Sequence, residues 1–360
     1  MVGPRNGRRR ASDRVKTTKA VRIERYGGPG VLVDREIPLP DPGPDAVHVE
    51  VEAAGVNFAD LAMRAGIYAT APKPPFSPGF EIAGTVARIG AGVEDWRAGD
   101  RVVALVRHGG YARDVIVPAR NLVRLPESLE AAFAAAVPVA FLTAWVALFE
   151  SGRARSGETV LILGAAGGVG TAATQLAVHA GLRVIGTAGT AAKREFVTHQ
   201  LGAAACFDSR GDWETETRAF AGNRGIDVAL DPIGGAATSS CRRLLAPLGR
   251  IVFYGLSDAL PGSKRNWIRI VRAYLRTPRI HPFSLVEANA GILGIHLLHL
   301  EQKETVLLAA LEEIHRGIAA GELRPILDRT FALDAAGATA AHTFLHERRN
   351  LGKVVLTAPG

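Results

Sequence analysis

The stretch TVLILGAAGGVGTAATQLAVHAGLRVIGTAG, from Thr159 to Gly189, decides the fold class. An apolar run is followed by a glycine-rich turn, a helical pattern and a second apolar run, all within about 30 residues. Small residues in such a turn let the backbone approach a pyrophosphate, and the amide groups of the following helix point at it. The spacing G-x-x-G-G-x-G departs from G-x-G-x-x-G, so a purely structural turn remains the alternative.

The same rhythm continues towards the C-terminus. Apolar runs alternate with helical patterns over 159–163, 168–180, 183–187, 191–200, 204–207, 226–230 and 250–254. Such alternation predicts a parallel sheet with crossover helices. Residues 20–126 instead show short strands and turns, and strands return after a helix predicted over 302–319. We therefore predict an α/β protein in which a β-rich domain is interrupted by a doubly wound parallel sheet, with a cleft between them.

The end of the second apolar run predicts the coenzyme. NAD-selective sites carry an acid there, which accepts hydrogen bonds from the ribose 2′-hydroxyl. From Gly181 to Arg194 there is no Asp or Glu, whereas Thr187 and Thr190 offer hydroxyls and Lys193 carries positive charge beside Arg194. This combination favours a 2′-phosphate and hence NADPH. The alternative is that both cations are merely solvated.

Charge is concentrated at the N-terminus. The chain has a formal net charge of +8, of which residues 1–19 contribute +6, leaving +2 for the remainder. The tail has no apolar run, so it does not resemble a secretory signal. We expect a solvated, disordered extension, with binding to nucleic acid or anionic lipid and a transit peptide as the less favoured alternatives. Cys206 and Cys241 stand far apart, which predicts neither a disulfide framework nor a four-cysteine zinc lobe and fits a cytoplasmic location.

One uncharged segment has nearly the length of a membrane span. Residues 131–149 contain no charged side chain, but they are rich in alanine and include Pro138 and Thr143. Alanine contributes little to insertion. We therefore expect buried helices near a domain junction.

Several long motifs, in order from Lys19 onward, resemble the medium-chain dehydrogenase/reductases, specifically the zinc-independent quinone oxidoreductase branch. The motifs are AAGVNFADLAMRAGIY, PFSPGFEIAGTVARIGAGVEDWRAGDRVVAL, VPVAFLTAWVALFE, LGAAGGVG, ALDPIGG and NLGKVVL. SDALPGSKRNWIRI and VEANAGILGIHLLHL are similar to a group related to synaptic vesicle membrane protein VAT-1. The resemblance implies a GroES-like catalytic domain over 20–140 and 285–360, interrupted by a Rossmann domain over 141–284.

The resemblance also bears on metals. Zinc-dependent members place a cysteine where Asn57 stands and a His-Glu pair where Phe80 and Glu81 stand. A phenyl ring cannot bind zinc, and an amide is a poor substitute for a thiolate. We therefore expect no metal. Hydride addition to a quinone or an enone suits such a cleft, because a conjugated acceptor spreads the developing charge.

By the same resemblance, Asn57 and Tyr68 face the acceptor, with Tyr68 as a donor or alternatively a rim residue, and Thr143 lies near the nicotinamide. Taken alone, Thr143 would be a helix hydroxyl bonded to a preceding carbonyl. Asp60 and Arg64 match family positions but can also simply form an ion pair. The implied coenzyme contacts, beside Thr187, Thr190 and Lys193, are Ala166, Gly167, Gly168, Val169, Ile233, Tyr254, Gly255, Ile295, His296, Leu297 and Lys353. Ser209 stands where many members have a tyrosine beside the adenine.

A basic segment over 264–279 carries Lys264, Arg265, Arg269, Arg272, Arg276 and Arg279 and no acid. At helical spacing, four arginines share one face and apolar residues the opposite one. This is typical of a helix lying on anionic lipid, although packing against the chain's own domain or a dimer partner is favoured.

Three functions remain open. The first is NADPH:quinone oxidoreductase activity, and the second is reduction of an enone or enoyl thioester. The third is a membrane- or lipid-associated protein that binds NADPH with little turnover. The family also implies a homodimer. Peripheral membrane contact through 264–279 stays an open alternative to a purely cytoplasmic protein.

Overall fold

The computed structural model describes residues 16–125, 127, 129–257, 271 and 275–359, and its strands form three sheets. The strands are β1 Thr17–Ile23, β2 Leu32–Pro38, β3 Ala46–Val56, β4 Glu81–Ile89, β5 Arg101–Leu105, β6 Asp114–Pro118, β7 Leu122–Arg124, β8 Thr159–Ile162, β9 Arg183–Ala188, β10 Ala205–Asp208, β11 Ile226–Asp231, β12 Leu245–Phe253, β13 Gly291–Gly294, β14 Leu327–Ala332 and β15 Lys353–Thr357.

Helices flank these strands. In the part of the chain that the structure describes, the α-helices are α1 Phe58–Ala65, α2 Ala131–Ala134, α3 Pro138–Trp145, α4 Gly168–His179, α5 Ala191–Glu195, α6 Trp213–Ala221, α7 Ala236–Leu244, α8 Pro282–Ala288, α9 Glu304–Ala319 and α10 Ala335–His346. Short π-helices extend α3 over Val146–Ser151 and α5 over Phe196–Gln200. The helix predicted over 302–319 is α9.

The first sheet is β-rich and drawn from both ends of the chain. Its seven strands lie in the order β14-β15-β3-β4-β5-β7, with β6 paired to β3. β15 pairs antiparallel with β3, so residues near the C-terminus complete a sheet that begins near residue 46. β1 and β2 form a separate two-stranded sheet.

The second sheet is parallel throughout and has six strands in the order β10-β9-β8-β11-β12-β13. Its central strand β8 is fully buried, as expected where helices cover both faces. Strand order reverses beside β8, which is where open parallel sheets bind ligands at the carboxyl ends of their strands. The predicted fold class, a GroES-like β-rich part interrupted by a Rossmann-type sheet, is confirmed.

Residues 131–151 connect the two large sheets. By length and composition this helical segment is sufficient to cross a membrane, yet most of it is buried inside the protein. Phe141, Leu142 and Leu148 belong to the same hydrophobic core as β8 residues Val160 and Ile162. The segment is therefore a core element of this fold, as predicted.

Strand β1 begins within the predicted tail. Thr17 already pairs with Pro38 in β1, so the last residues of the predicted tail 1–19 belong to a strand. Thr18 is buried, and its hydroxyl donates to Asp114 at 2.7 Å, which ties β1 to β6. Residues 1–15 lie outside the described residues, as does most of the basic segment 264–279, of which only 271 and 275–279 are described.

Candidate active site

The glycine turn between β8 and α4 has the form of a phosphate-binding loop. Gly164 adopts φ +66° and its carbonyl accepts from the amide of Gly167 at 2.9 Å. α4 begins at Gly168, and the first amides of a helix have no partner within it. Ala166, Gly167, Gly168 and Val169, predicted to hold the pyrophosphate, therefore lie together at this helix N-terminus.

Thr187 lies behind this turn. Its side chain is buried, and its Oγ1 accepts a hydrogen bond from the amide of Gly164 at 3.2 Å. Its carbonyl also accepts from the amide of Ala165 at 2.9 Å. The structure thus places Thr187 as a support of the turn.

The region after β9 brings the predicted cations together but gives them different partners. Thr190 is the N-cap of α5, and its hydroxyl accepts from the amide of Lys193 at 3.3 Å. The ammonium of Lys193 donates to the carbonyl of Arg348 at 2.7 Å, and burial lowers its pKa. Arg194, read from the sequence as a cation facing a 2′-phosphate, instead pairs with Asp208 at 2.9 Å, because β10 lies directly beside β9.

Arg210 is a further cation at the same place, and sequence reasoning missed it. A Cβ built on Gly189 would lie 3.6 Å from its Nε. Its guanidinium has no side-chain partner among the described residues and is exposed. The signal in the sequence is the dipeptide Ser209-Arg210, which follows the third apolar run.

The loop after β11 is organised by a buried carboxylate. Asp231 accepts from the amides of Ile233 and Gly234 at 2.8 and 3.0 Å and from the hydroxyl of Thr238 at 2.6 Å. The amide of Tyr254 donates to its carbonyl at 3.1 Å. Asp231 therefore fixes the positions of two predicted coenzyme contacts.

Gly255, the next predicted contact, passes very close to the same loop. A Cβ built there would lie 2.8 Å from the carbonyl oxygen of Pro232. The close approach places Ile233, Tyr254 and Gly255 in one wall at the carboxyl ends of β11 and β12.

A second wall follows β13. Ile295 continues the sheet by donating its amide to the carbonyl of Phe253 at 3.0 Å. The ring of His296 lies 5.4 Å from the ring of Tyr68 and stacks on His299 at 4.0 Å. Burial and, to a smaller extent, the neighbouring His299 lower the pKa of His296. Leu297 begins a 3₁₀ turn directly after it.

Tyr68 lies across from this wall. Its ring packs on Phe80, with centroids 5.6 Å apart. Burial, with a smaller effect of Asp60, raises the pKa of Tyr68 to about 12. The phenol therefore keeps its proton at neutral pH and is able to donate a hydrogen bond.

Asn57 is held from both ends of its amide. Its Nδ2 donates to Oε1 of Glu81 at 2.8 Å, and its Oδ1 accepts from the ammonium of Lys353 at 2.7 Å. Asn57 is also the N-cap of α1, where its backbone amide donates to Asp60 at 2.8 Å. Within the described residues, the second Nδ2 hydrogen has no acceptor. Lys353, predicted as a coenzyme contact, directs its ammonium at Asn57.

Thr143 lies in α3, and only 9% of its surface is exposed. Thr174 in α4 donates its hydroxyl to the carbonyl of Gly170 at 2.8 Å, the usual arrangement of a helical threonine. Thr143 forms no such bond with any described residue. Its hydroxyl is therefore available to a ligand, contrary to the helix-hydroxyl alternative.

The ion pair between Asp60 and Arg64 does not form. Asp60 accepts from the backbone amides of Asn57 and Gly79, both at 2.8 Å, and burial raises its pKa to about 7. The fully buried guanidinium of Arg64 donates to Nδ1 of His342 at 3.1 Å and also contacts His346. Asp60 caps the start of α1, so its carboxylate points away from the next turn.

The residues at the position of a catalytic zinc do not fit that metal. Phe80 offers no ligand atom, while both carboxylate oxygens of Glu81 are engaged, one by Asn57 and Lys353 and the other by the amide of Val139 at 2.7 Å. No group of three or more His, Cys, Asp or Glu side chains suited to a metal occurs among the residues that the structure describes.

Comparisons with known proteins agree with this architecture. Residues 43–127 match the family model "Alcohol dehydrogenase GroES-like domain", and residues 168–303 match "Zinc-binding dehydrogenase". The quinone oxidoreductase of Rattus norvegicus is 31% identical over 95% of this chain and 98% of its own length. The chain belongs to the medium-chain dehydrogenase/reductase superfamily, a family of oxidoreductases.

Within the superfamily, its relatives fall in the branch of the quinone oxidoreductases and VAT-1-like proteins. The synaptic vesicle membrane protein VAT-1 homolog of Danio rerio is 36% identical over 86% of this chain, which spans 64% of that relative's length. The crystal structure of the Escherichia coli quinone oxidoreductase complexed with NADPH superimposes on this chain with a TM-score of 0.84 at 27% identity. The match covers 94% of this chain and 99% of that one.

Proposed function

We propose that the protein reduces a quinone or a similar conjugated carbonyl with NADPH and without zinc, as an NADPH:quinone oxidoreductase. The observation that carries the proposal is the side-chain amide of Asn57. One of its N–H groups has no acceptor among the described residues, and its oxygen accepts from Lys353, the first residue of β15. The residue before it, Gly352, forms a bridge with Gly167 in the glycine turn. The amide of Gly352 donates to the carbonyl of Ala166 at 2.8 Å, so the coenzyme turn and the acceptor side are in direct contact.

The coenzyme proposal is supported by the charges beyond β9. Lys193 and Arg210 carry positive charge there, and Arg194 neutralises Asp208, the one nearby carboxylate on β10. A 2′-phosphate would gain charge-assisted hydrogen bonds that NADH cannot form. When bound, the coenzyme supplies a hydride. The structure of an Escherichia coli relative complexed with NADPH points in the same direction.

On the acceptor side, three side chains are suited to hold a carbonyl. Asn57 offers an N–H donor, Tyr68 offers a protonated phenol, and Thr143 offers a hydroxyl that has no partner among the described residues. A delocalised oxyanion needs less outside stabilisation than the concentrated charge of a simple alkoxide, so neutral donors of this kind are sufficient for a conjugated acceptor. The donor set at Phe80 and Glu81 offers no place for a Lewis acid, and this favours conjugated acceptors over simple ketones.

A panel of acceptors tests the proposal. The protein is assayed by NADPH oxidation with a naphthoquinone, cyclohexenone, a crotonyl thioester and, as a simple ketone, cyclohexanone. We expect turnover with the quinone and none with cyclohexanone. Turnover with the thioester alone would assign the protein to the enoyl reductases, and turnover with cyclohexanone would contradict the proposal. Elemental analysis of the same sample tests the expected absence of zinc.

We further propose a homodimer, formed along the free edge of β13. Within the described residues, β13 pairs only with β12, so its outer edge presents unpaired backbone groups. Leu293 on this strand, Leu248 and Val286 expose 37%, 80% and 70% of their surfaces. Sedimentation is expected to show a dimer, and Leu293→Lys with Val286→Lys is expected to show a monomer. A monomeric unmodified protein would contradict this proposal.

A VAT-1-like, lipid-associated role with little turnover is the second candidate function. Val271 and Leu275, within the basic segment, expose 51% and 67% of their surfaces. An apolar flank beside clustered arginines suits an anionic lipid surface. Co-sedimentation with phosphatidylserine vesicles is expected to fall when Arg269, Arg272 and Arg276 are replaced by glutamate. Unchanged pelleting would dismiss this candidate and leave a cytoplasmic enzyme.

A further inference from the structure

Lys353 has an unusual environment for a lysine. Its side chain is 95% buried, and its ammonium lies 2.6 Å from Oε1 of Glu81, which is fully buried. The other two acceptors are Oδ1 of Asn57 at 2.7 Å and the carbonyl of Val56 at 3.1 Å. An ammonium has three hydrogens, so all of them are engaged by protein atoms. Lys353 therefore acts through these neighbours, and no hydrogen of its ammonium is left to bind the substrate.

These contacts fix the amide of Asn57 in one orientation. A flipped amide would turn its NH₂ group towards the ammonium and its oxygen towards the carboxylate of Glu81, which are two repulsive contacts. In the observed orientation both contacts are charge-assisted hydrogen bonds, which are about twice as strong as neutral ones. The free N–H consequently has a single direction.

The backbone of Lys353 is fixed by the glycine turn. Gly352 forms a parallel bridge with Gly167, and a Cβ built on Gly168 would lie 3.1 Å from Cδ of Lys353. Gly352 itself adopts φ +81°, and a Cβ there would lie 2.3 Å from the carbonyl oxygen of Ile326. The same few residues thus contact the predicted pyrophosphate site at one end and Asn57 at the other.

We propose that Lys353 is a positioning residue for the side of the site that binds the quinone. It orients the side-chain amide of Asn57, with Glu81 as its counter-charge. Because its backbone is bonded next to the glycine turn, it also fixes the position of that amide relative to the coenzyme site. This rests on the proposed function. It predicts that loss of the ammonium weakens the chemical step while coenzyme binding is retained, because no ammonium hydrogen is left for the coenzyme.

The test compares Lys353→Met, Lys353→Arg and, since Glu81 would otherwise keep an unpaired buried charge, the double variant Lys353→Met with Glu81→Gln. Lys19→Met, at an exposed lysine, is the matched control. For the first and third variants we expect kcat for quinone reduction to fall about 10-fold or more and the calorimetric Kd for NADPH to change by less than about 3-fold. Lys353→Arg is expected to recover part of kcat. Loss of NADPH binding in step with kcat, or an unchanged kcat in the double variant, would overturn the proposal.

A second readout is independent of turnover. The side-chain amide signals of Asn57, in ¹⁵N-asparagine-labelled protein and assigned with Asn57→Asp, are expected to be sharp and slow to exchange with solvent, and to broaden or exchange faster in the double variant. Unchanged signals would overturn the positioning role. Absence of turnover in the unmodified protein, with these signals behaving as expected, would instead contradict the proposed function alone.

Discussion

The carbonyl oxygen of Gly164 lies 2.2 Å from the point that a Cβ atom on Gly170 would occupy. The start of α4 therefore rests directly on the turn that precedes it, and no side chain fits between them. This contact sets the shape of the proposed phosphate-binding loop. Because Gly170 is in the first turn of the helix, any adjustment there also moves the amides that would face the pyrophosphate.

Gly170→Ala is accordingly expected to weaken NADPH binding by about 10-fold or more and to lower the free energy of unfolding by about 1–3 kcal/mol, since a buried clash must be relieved by backbone movement. Calorimetric titration and urea denaturation measure the two effects. Gly30→Ala serves as the control, because a Cβ there meets no atom within 4 Å. Unchanged NADPH binding in Gly170→Ala would show that this turn does not hold the coenzyme.

Coenzyme choice is expected to depend on Lys193 and Arg210. Replacing both by alanine removes the two cations proposed to face a 2′-phosphate, so the ratio of kcat/KM for NADPH to that for NADH should fall by about 10- to 100-fold, as for two charge-assisted contacts. Arg97→Ala, at an exposed arginine in the loop before β5, is the matched control. Equal use of NADH by the unmodified protein would contradict the assignment.

Stability is expected to fall on the acid side through His346. Burial and, to a smaller extent, the charge of Arg64 lower the pKa of His346 to about 4. In the unfolded chain the pKa keeps its ordinary value of 6.5. As the pH falls from 6.5 towards 4, the unfolded state takes up a proton that the folded state refuses, and stability is lost. His346→Gln should remove on the order of 1 kcal/mol of this loss, allowing for solvent access.

Urea denaturation between pH 7 and pH 4.5 measures this effect by the difference between variant and unmodified protein, with exposed His199→Gln as the control. The difference matters because Asp60, with a pKa raised to about 7 mainly by burial, acts in the opposite sense. Its contribution is fully present below its ordinary pKa and is lost as the pH rises towards 7. Parallel pH curves for His346→Gln and the unmodified protein would contradict the prediction.

Arg250 is expected to be a major support of the parallel sheet. Its guanidinium donates to both carboxylate oxygens of Glu158, at 2.8 and 2.7 Å, and to the carbonyl of Arg153 at 2.9 Å. Arg250→Ala should lower the free energy of unfolding by about 2–4 kcal/mol, because a partly buried carboxylate loses a bidentate partner. Arg316→Ala, in an exposed pair with Glu313, should cost less than about 1 kcal/mol. Equal effects would show that the bidentate geometry contributes nothing.

Local patterns predicted the fold well, and long-range side-chain contacts escaped them. The glycine turn and the strand–helix alternation after Thr159 are encoded in neighbouring residues, so the parallel sheet was predictable. Lys353 and Glu81 are separated by 272 positions, and nothing in their flanking sequence indicates that they meet. The contact of its ammonium with Asn57 was not predictable from the sequence, while its role as a coenzyme contact stays a prediction.

The local sequence misled in two cases. Asp60 and Arg64 are four residues apart, a spacing that favours an ion pair on an exposed helix, but Asp60 is used by the backbone at the start of α1. Arg194 was equivalent to Lys193 in the sequence, and only the pairing of β9 with β10 brings Asp208 to it. In both cases the competing partner comes from the tertiary arrangement, which the periodicity of a single segment does not contain.

The most direct test of the account is the oxidation of NADPH by the full-length protein with a naphthoquinone as acceptor, with the coenzyme unlabelled or deuterated at the transferred position of its nicotinamide. We predict turnover that is faster with NADPH than with NADH and that slows when deuterium replaces the transferred hydrogen. No oxidation of NADPH in the presence of the quinone, or oxidation with NADH at an equal or higher rate, would contradict it.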